Sequence, residues 1–197
     1  MAIPAPARVA GFVLVGGRSS RMGRDKALME FGESTLVEYV ARLVERVCGS
    51  VVLVGCPDCY RAIPYQAIPD IRPEQGPLGG IQAALSASGC EWNLIVACDM
   101  PAITTELLDL LVDATREWAG GCIVPVSSDG RLQPLCAVYH RRCLGAVSTM
   151  LGRGVRRMSD AIPQLGPLLL PTRSTEPFRN LNTPQDWSAH TSLPLKR

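Results

Sequence analysis

Short apolar runs recur along the chain and predict the strands of a buried sheet. The strongest are residues 9–15 and 94–98, in which apolar side chains follow one another without the polar alternation of a half-exposed strand. Such strands are apolar on both faces and require cover on both sides. The predicted strands are residues 9–15, 51–54, 65–68, 94–98, 123–126, 135–140 and 168–170.

Helical periodicity appears between most of these runs. In residues 35–47 the apolar positions recur every three or four residues, as on one face of a helix. Further helices are predicted at 78–86 and at about 142–151. Another helix is predicted to begin after Thr104 or Thr105, either of which could be its N-cap. Helices that alternate with doubly apolar strands predict an α/β fold, namely a single doubly wound, mostly parallel, Rossmann-like sheet flanked by helices on both faces.

Length and composition predict one domain that spans residues 1–197, with mobile tails at about 1–7 and 191–197. The formal net charge of +2 is too small for a general nucleic-acid or membrane-surface binder. No apolar run approaches the roughly 20 residues that span a bilayer. The run at 9–15 continues into charged residues, not into a signal-peptide cleavage site. We therefore predict a cytoplasmic protein whose partners include neither nucleic acid nor membrane.

The cysteines are scattered, mostly within apolar stretches, and a chain of this length does not need a disulfide framework. They stand at Cys48, Cys56, Cys59, Cys90, Cys98, Cys122, Cys136 and Cys143. The CPDC run at 56–59 has the spacing of a redox motif or of half a zinc site, but no second CxxC follows. We therefore predict buried free thiols in a reducing cytoplasm, with no structural zinc and no obligatory disulfide.

Three loops leave the carboxyl ends of predicted strands and carry polar or glycine-rich segments. They cover residues 16–26, 70–80 and 99–101. In an open α/β sheet, ligands bind outside the carboxyl ends of the strands. These loops should therefore converge on one site.

The first loop, within LVGGRSSRMGRDKAL at 14–28, has the composition of an anion-binding turn. Gly16 and Gly17 remove Cβ atoms, so that backbone N–H groups can approach a ligand closely. Arg18, Arg21 and Lys26 add cationic donors for the same anion. The spacing matches neither a Walker A motif nor GxGxxG. The alternative interpretation is a solvated basic surface loop without a ligand.

The same stretch closely resembles the signature LAGGxSxRMGxDKAL of the molybdenum cofactor guanylyltransferases. Val15 replaces the usual alanine, and the other fixed positions match. The resemblance continues through GPLGGI at 76–81, CDMP at 98–101, QPLCAVY at 133–139 and NLNTPQD at 180–186. One departure is visible: the family often has an asparagine after the second strand, where this chain has Gly55 and Cys56.

The resemblance implies an enzyme that transfers GMP from GTP to the molybdenum cofactor and releases pyrophosphate. It implies catalytic roles for Arg21, Lys26 and Asp99, with Asp99 as the ligand of a Mg²⁺ cofactor. The implied GTP contacts are Leu14, Val15, Gly16, Gly17, Lys26, Asp70, Gly79 and Asp99. The implied acceptor contacts are Gln133, Asn180 and Asn182. The expected partners are GTP, the molybdopterin acceptor and other proteins of cofactor biosynthesis or molybdoenzyme maturation.

Three alternatives stay open on the sequence. Cytidylyltransferases that act on the same cofactor resemble LAAG where this chain has LVGG. Sugar-phosphate nucleotidyltransferases usually have a longer chain and a different glycine loop. A non-catalytic nucleotide-binding or metal-binding module would need no catalytic Lys26 or Asp99, and both residues are present.

Overall fold

The computed structural model of the chain describes residues 9–15, 25–71 and 75–181. Its centre is a seven-stranded sheet with the strand order β5-β4-β1-β6-β8-β7-β9. The strands, including a separate two-stranded hairpin, are β1 Val9–Leu14, β2 Glu30–Phe31, β3 Ser34–Thr35, β4 Val51–Gly55, β5 Gln66–Pro69, β6 Trp92–Ala97, β7 Cys122–Val126, β8 Cys136–His140 and β9 Pro167–Pro171. The helices are α1 Leu36–Cys48, α2 Pro77–Ala87, α3 Thr105–Ala114, α4 Leu144–Gly152 and α5 Met158–Ala161.

The first four strands of the large sheet are parallel, with β1 between β4 and β6. Strand β8 is antiparallel to both β6 and β7, whereas β9 is again parallel to β7. The prediction of a mostly parallel α/β sheet is confirmed. No helix separates β7 from β8. A turn links them, in which Ser127 N–H donates to Arg131 O at 2.9 Å and Gly130 has a φ of 82°.

Helices cover both faces of the sheet. One apolar cluster joins the sheet to residues of α1 and α3, and a second joins it to residues of α2, α4 and α5. Strand β6 is buried along its whole length, which explains why it is apolar except for Asn93, whose Nδ2 donates to Tyr139 O at 3.2 Å. The doubly wound arrangement is therefore the one that the pattern predicts.

The best-defined helix, α1, has clear signals at both ends. The Thr35 side chain accepts from Glu38 N–H at 3.4 Å, and Glu38 Oε2 accepts from Thr35 N–H at 2.8 Å, which completes a capping box. The helix ends before Gly49, whose φ of 77° is the left-handed conformation that glycine tolerates. Of the two caps considered for α3, Thr104 is the one that caps it.

Some short elements have no counterpart in the prediction. The β2–β3 hairpin consists of two-residue strands, and α5 is a single turn, so neither is long enough to show a period. The helix predicted at about 142–151 begins with a 3-10 turn at Arg141–Cys143. Within the described ranges, no helix is long and apolar enough to cross a membrane. The single-domain boundary and the tails stay a prediction.

Candidate active site

The order of the strands creates a crevice between β1 and β6. From β1 the chain first builds β4 and β5 on one side, and it then returns to place β6 on the other side. Adjacent loops diverge at such a switch point, and ligands bind there in open α/β sheets. The loop from β1 brings Lys26 to this edge, and the loop from β6 brings Asp99. The predicted convergence is confirmed for the segments of Lys26 and Asp99, whereas residues 16–24 of the first loop lie outside the described residues.

Lys26 and Asp99 share a backbone partner. The Lys26 Nζ donates to the carbonyl oxygen of Leu181 at 3.1 Å, and the Leu181 N–H donates to the carbonyl oxygen of Asp99 at 2.9 Å. Leu181 is buried and follows Asn180 directly. Three distant segments of the chain thus meet at one point. Sequence reasoning missed Leu181, because a backbone contact leaves no signal in an apolar residue type.

The Asp99 carboxyl lies in a partly desolvated environment. Burial raises its pKa above the usual value, and the nearby Lys26 ammonium opposes that rise. Additional positive charge near Asp99 would favour the ionised form of its carboxyl group. A hard divalent cation would supply that charge, and an oxygen donor is the ligand that Mg²⁺ prefers. Over residues 9–15, 25–71 and 75–181, no group of three or more His, Cys, Asp and Glu side chains could hold a metal. Asp99 therefore fits an ion that takes its other ligands from phosphates and water.

Asp70 follows β5, which lies on the opposite side of β1 from β6. Its N–H donates to Gly55 O at 3.2 Å, directly after β5. Because neighbouring strands are about 4.8 Å apart, the three-strand step from β5 to β6 separates these two strands, which precede Asp70 and Asp99, by roughly 14 Å. This separation suits contacts at two different parts of an elongated ligand. It does not suit two carboxylates on one metal ion.

The N-terminus of α2 lies at the same edge, on one face of the sheet. The N–H of Gly79 donates to Gly76 O at 3.0 Å, so this group already has a partner. A Cβ at Gly80 would lie 3.1 Å from Cδ2 of Leu14, which is a tight contact. Gly80 therefore allows α2 to pack closely on the sheet. Leu14 ends β1, and the next residue, Val15, donates its N–H to Val54 O at 2.9 Å.

Two of the predicted acceptor residues lie at this edge. Gln133 precedes β8, and its Nε2 donates to Ser127 Oγ at 2.9 Å. Two residues later, Leu135 O accepts from Ala97 N–H at 2.7 Å, next to the Asp99 loop. Asn180 is exposed beside Leu181. Of the other predicted site residues, Gly16, Gly17, Arg21 and Asn182 lie outside the residues that the structure describes.

The prediction that all cysteines are free thiols is wrong at two positions. Cys56 and Cys59 form a disulfide, because the 3-10 turn at Pro57–Tyr60 folds the chain back and leaves their Cα atoms 5.3 Å apart. Cys48, Cys122, Cys136 and Cys143 are free and buried, as predicted. They lie in α1, β7, β8 and the 3-10 turn before α4.

The disulfide also clarifies the departure from the family pattern at 55–56. Gly55 has no side chain, and Cys56 uses its sulfur to bond Cys59. Neither residue can offer a polar side chain as an asparagine would. A polar contact with a ligand at this point of the sheet edge must therefore come from another residue, and Asp70 is bonded to the Gly55 carbonyl.

We expect the protein to fold without the disulfide. Replacement of Cys56 and Cys59 by serine should lower the free energy of unfolding by at most about 2 kcal/mol, since the bond closes a very short loop. Urea unfolding of the double variant measures this loss, with the buried Cys122→Ser variant as a contrast. Metal analysis should find less than one zinc per chain. One zinc per chain that disappears in the double variant would contradict the expectation.

Comparison with known proteins identifies the family. Residues 11–166 match the family model described as "MobA-like NTP transferase domain". A curated protein of Flavobacterium johnsoniae, "Probable molybdenum cofactor guanylyltransferase", is 33% identical over 87% of this chain and 89% of its own. "Molybdenum cofactor guanylyltransferase" of Vibrio campbellii is 31% identical over 92% and 94%.

Solved structures show the same fold. Molybdopterin-guanine dinucleotide biosynthesis protein A of Archaeoglobus fulgidus superposes with a TM-score of 0.78 at 24% identity, over 92% of this chain and 96% of that one. The sequence match covers most of both chains, and the signature residues Lys26 and Asp99 meet where the fold places a ligand. The chain therefore belongs to the MobA-like NTP transferase family.

Proposed function

We propose that the chain is a molybdenum cofactor guanylyltransferase, which transfers GMP from GTP to the molybdenum cofactor. The observation that carries this proposal is the meeting of Lys26 and Asp99 through Leu181 at the switch point of the sheet. The names of the curated relatives support the choice of GTP and of the acceptor. GTP and the molybdopterin acceptor are then its substrates, and other cofactor-biosynthesis proteins are its partners.

The reaction joins two phosphate groups. An oxygen of the terminal phosphate of molybdopterin attacks the α-phosphorus of GTP. The new P–O bond forms as the bond from the α-phosphorus to the oxygen bridging the β-phosphate breaks, and pyrophosphate leaves with the electron pair. Since little covalent work falls to the protein, its residues must align the two substrates and neutralise charge.

The described residues divide this work. Lys26 binds the triphosphate and stabilises the negative charge that develops on the leaving pyrophosphate. Asp99 holds a divalent ion, proposed as Mg²⁺, which when bound neutralises phosphate charge. Asp70, several strands away, binds guanine or ribose. Gln133, which precedes β8, and Asn180, which precedes Leu181, contact the acceptor in this proposal.

The residues outside the described ranges complete the proposal. Gly16 and Gly17 bring backbone N–H groups to the phosphates, Arg21 is the second cation on the pyrophosphate, and Asn182 contacts the acceptor. We also propose a cytoplasmic location, which the buried free thiols of Cys48, Cys122, Cys136 and Cys143 support because free thiols suit a reducing compartment.

Nucleotide selectivity tests the guanylyl assignment. With Mg²⁺, we expect GTP to bind at least about tenfold more tightly than CTP, a difference of about 1.4 kcal/mol. The reason is the LVGG form of the first loop, in which Gly16 leaves room beside the larger base. Isothermal titration with GTP, CTP and ATP, each with and without Mg²⁺, gives the affinities. Equal or reversed affinities for GTP and CTP would leave only the broader nucleotidyltransferase class.

A further inference from the structure

A buried tyrosine outside the predicted site contacts the signature loop. Tyr60 ends the 3-10 turn that follows β4 and is only 2% exposed. Its hydroxyl donates to Oδ2 of Asp25 at 2.7 Å. Burial and this carboxylate both raise the pKa of the phenol, so that it stays a neutral donor at physiological pH. The contact joins the loop after β4 to the loop after β1.

The Asp25 carboxylate uses its two oxygens for two different tasks. Oδ2 accepts from the Tyr60 hydroxyl, and Oδ1 accepts from Ala27 N–H at 3.0 Å. The second bond makes Asp25 the N-cap of the 3-10 turn Lys26–Leu28. The direction in which the Lys26 side chain leaves the backbone is therefore fixed by a residue that is itself held by Tyr60.

Lys26 is thus held at both ends. Asp25 fixes its backbone, and the Leu181 carbonyl accepts from its ammonium group at 3.1 Å. A cation that is placed before the ligand arrives loses less conformational freedom when it binds phosphate. Without the Tyr60 bond, Asp25 would lose this connection to the loop after β4, and the turn could change its angle to the sheet.

We propose that Tyr60 is a positioning residue that aims the Lys26 ammonium at the nucleotide triphosphate through Asp25. This inference rests on the proposed function, in which Lys26 binds the triphosphate of GTP. Tyr60 touches neither substrate in this arrangement. Its effect should consequently be confined to the phosphate part of the ligand.

The test is the affinity of Tyr60→Phe for two ligands in the presence of Mg²⁺. We expect GTP to bind about tenfold more weakly, the loss typical of a buried hydrogen bond to a charged group. Guanosine, which has no phosphate, should bind within about twofold of the unmodified protein, since its contacts do not involve Lys26. A purely structural loss would weaken both ligands together, and that result would overturn the inference.

Two other variants control for the chemistry of the change. Tyr65→Phe is the matched control, because it also removes a phenolic hydroxyl. The Tyr65 hydroxyl donates to Oε2 of Glu45 at 3.2 Å and does not bond Asp25, so its loss should leave GTP affinity unchanged. Asp25→Ala removes both acceptor oxygens, so it loses both bonds and should weaken GTP at least as much as Tyr60→Phe does. A GTP affinity lowered equally in Tyr65→Phe, or unchanged in Asp25→Ala, would contradict the proposal.

A double-mutant cycle with Lys26→Ala separates this inference from the proposed function. If Tyr60 acts through Lys26, Tyr60→Phe should cause no further loss of GTP affinity in the Lys26→Ala background. The same tenfold loss in both backgrounds would overturn the positioning role and leave the role of Lys26 intact. If Lys26→Ala alone leaves GTP affinity unchanged, the phosphate role of Lys26 in the proposed function fails, and the inference fails with it.

Discussion

Replacement of Asp99 by alanine should lower kcat for GMP transfer by about a hundredfold or more, on the scale of losing a main electrostatic stabiliser. Asp99 stands at the end of the buried strand β6, and its main chain is held by Leu181. The substitution removes the carboxylate that is proposed to bind Mg²⁺ and leaves the Asp70 side of the site unchanged. GTP affinity should therefore fall less than kcat. Steady-state kinetics with molybdopterin as the acceptor, alongside GTP titration, separate the two effects.

The fold should tolerate the loss of this carboxylate. Burial raises the pKa of Asp99, which means that the folded protein disfavours the charged form. Removal of the charge should then leave the melting temperature of the metal-free protein unchanged or higher, and Asp99→Asn tests this with little change of shape. Asp113→Ala removes an exposed carboxylate on α3 and should affect neither activity nor melting. Transfer at the unmodified rate by folded Asp99→Ala protein would show that the metal assignment is wrong.

The sequence predicts those parts of the fold that depend on local pattern. Strand β6 is visible because it is buried on both faces and all of its residues except Asn93 are apolar. Helix α1 is visible because its apolar stripe, its Thr35 cap and its terminal Gly49 agree. The antiparallel direction of β8 leaves no comparable signal. A strand that is covered on both faces has the same composition in either direction.

The site is predictable where chemistry resides in side chains of the expected type. Lys26 and Asp99 stand out as charged residues after apolar strands, and the structure brings them together. Leu181 and Tyr60 do not stand out, since one acts through its backbone and the other resembles an ordinary core residue. The disulfide was missed because the CPDC spacing alone does not reveal the 3-10 turn that brings the two sulfurs together.

Replacement of Gly55 by alanine should lower the free energy of unfolding by about 2–4 kcal/mol, as overpacking against backbone does. A Cβ at this position would collide with the carbonyl oxygen of Val15 and also lie 2.8 Å from Cγ2 of that residue. Neither strand can retreat easily, because Val15 N–H bonds Val54 O and Asp70 N–H bonds Gly55 O. Denaturant unfolding followed by circular dichroism measures the loss.

Gly89→Ala is the matched control, since its new Cβ would meet no atom within 4 Å and its stability should stay within about 0.5 kcal/mol of the unmodified protein.

The collision at Gly55 also has a consequence for binding. Val15 directly precedes the proposed phosphate-binding residues Gly16 and Gly17 in the sequence, so we expect a shift of its carbonyl to weaken phosphate binding. GTP affinity should therefore fall in Gly55→Ala even at temperatures where the variant is fully folded. A folded Gly55→Ala protein with unmodified stability and GTP affinity would mean that the close approach of β1 and β4 is not required by the fold or by the site.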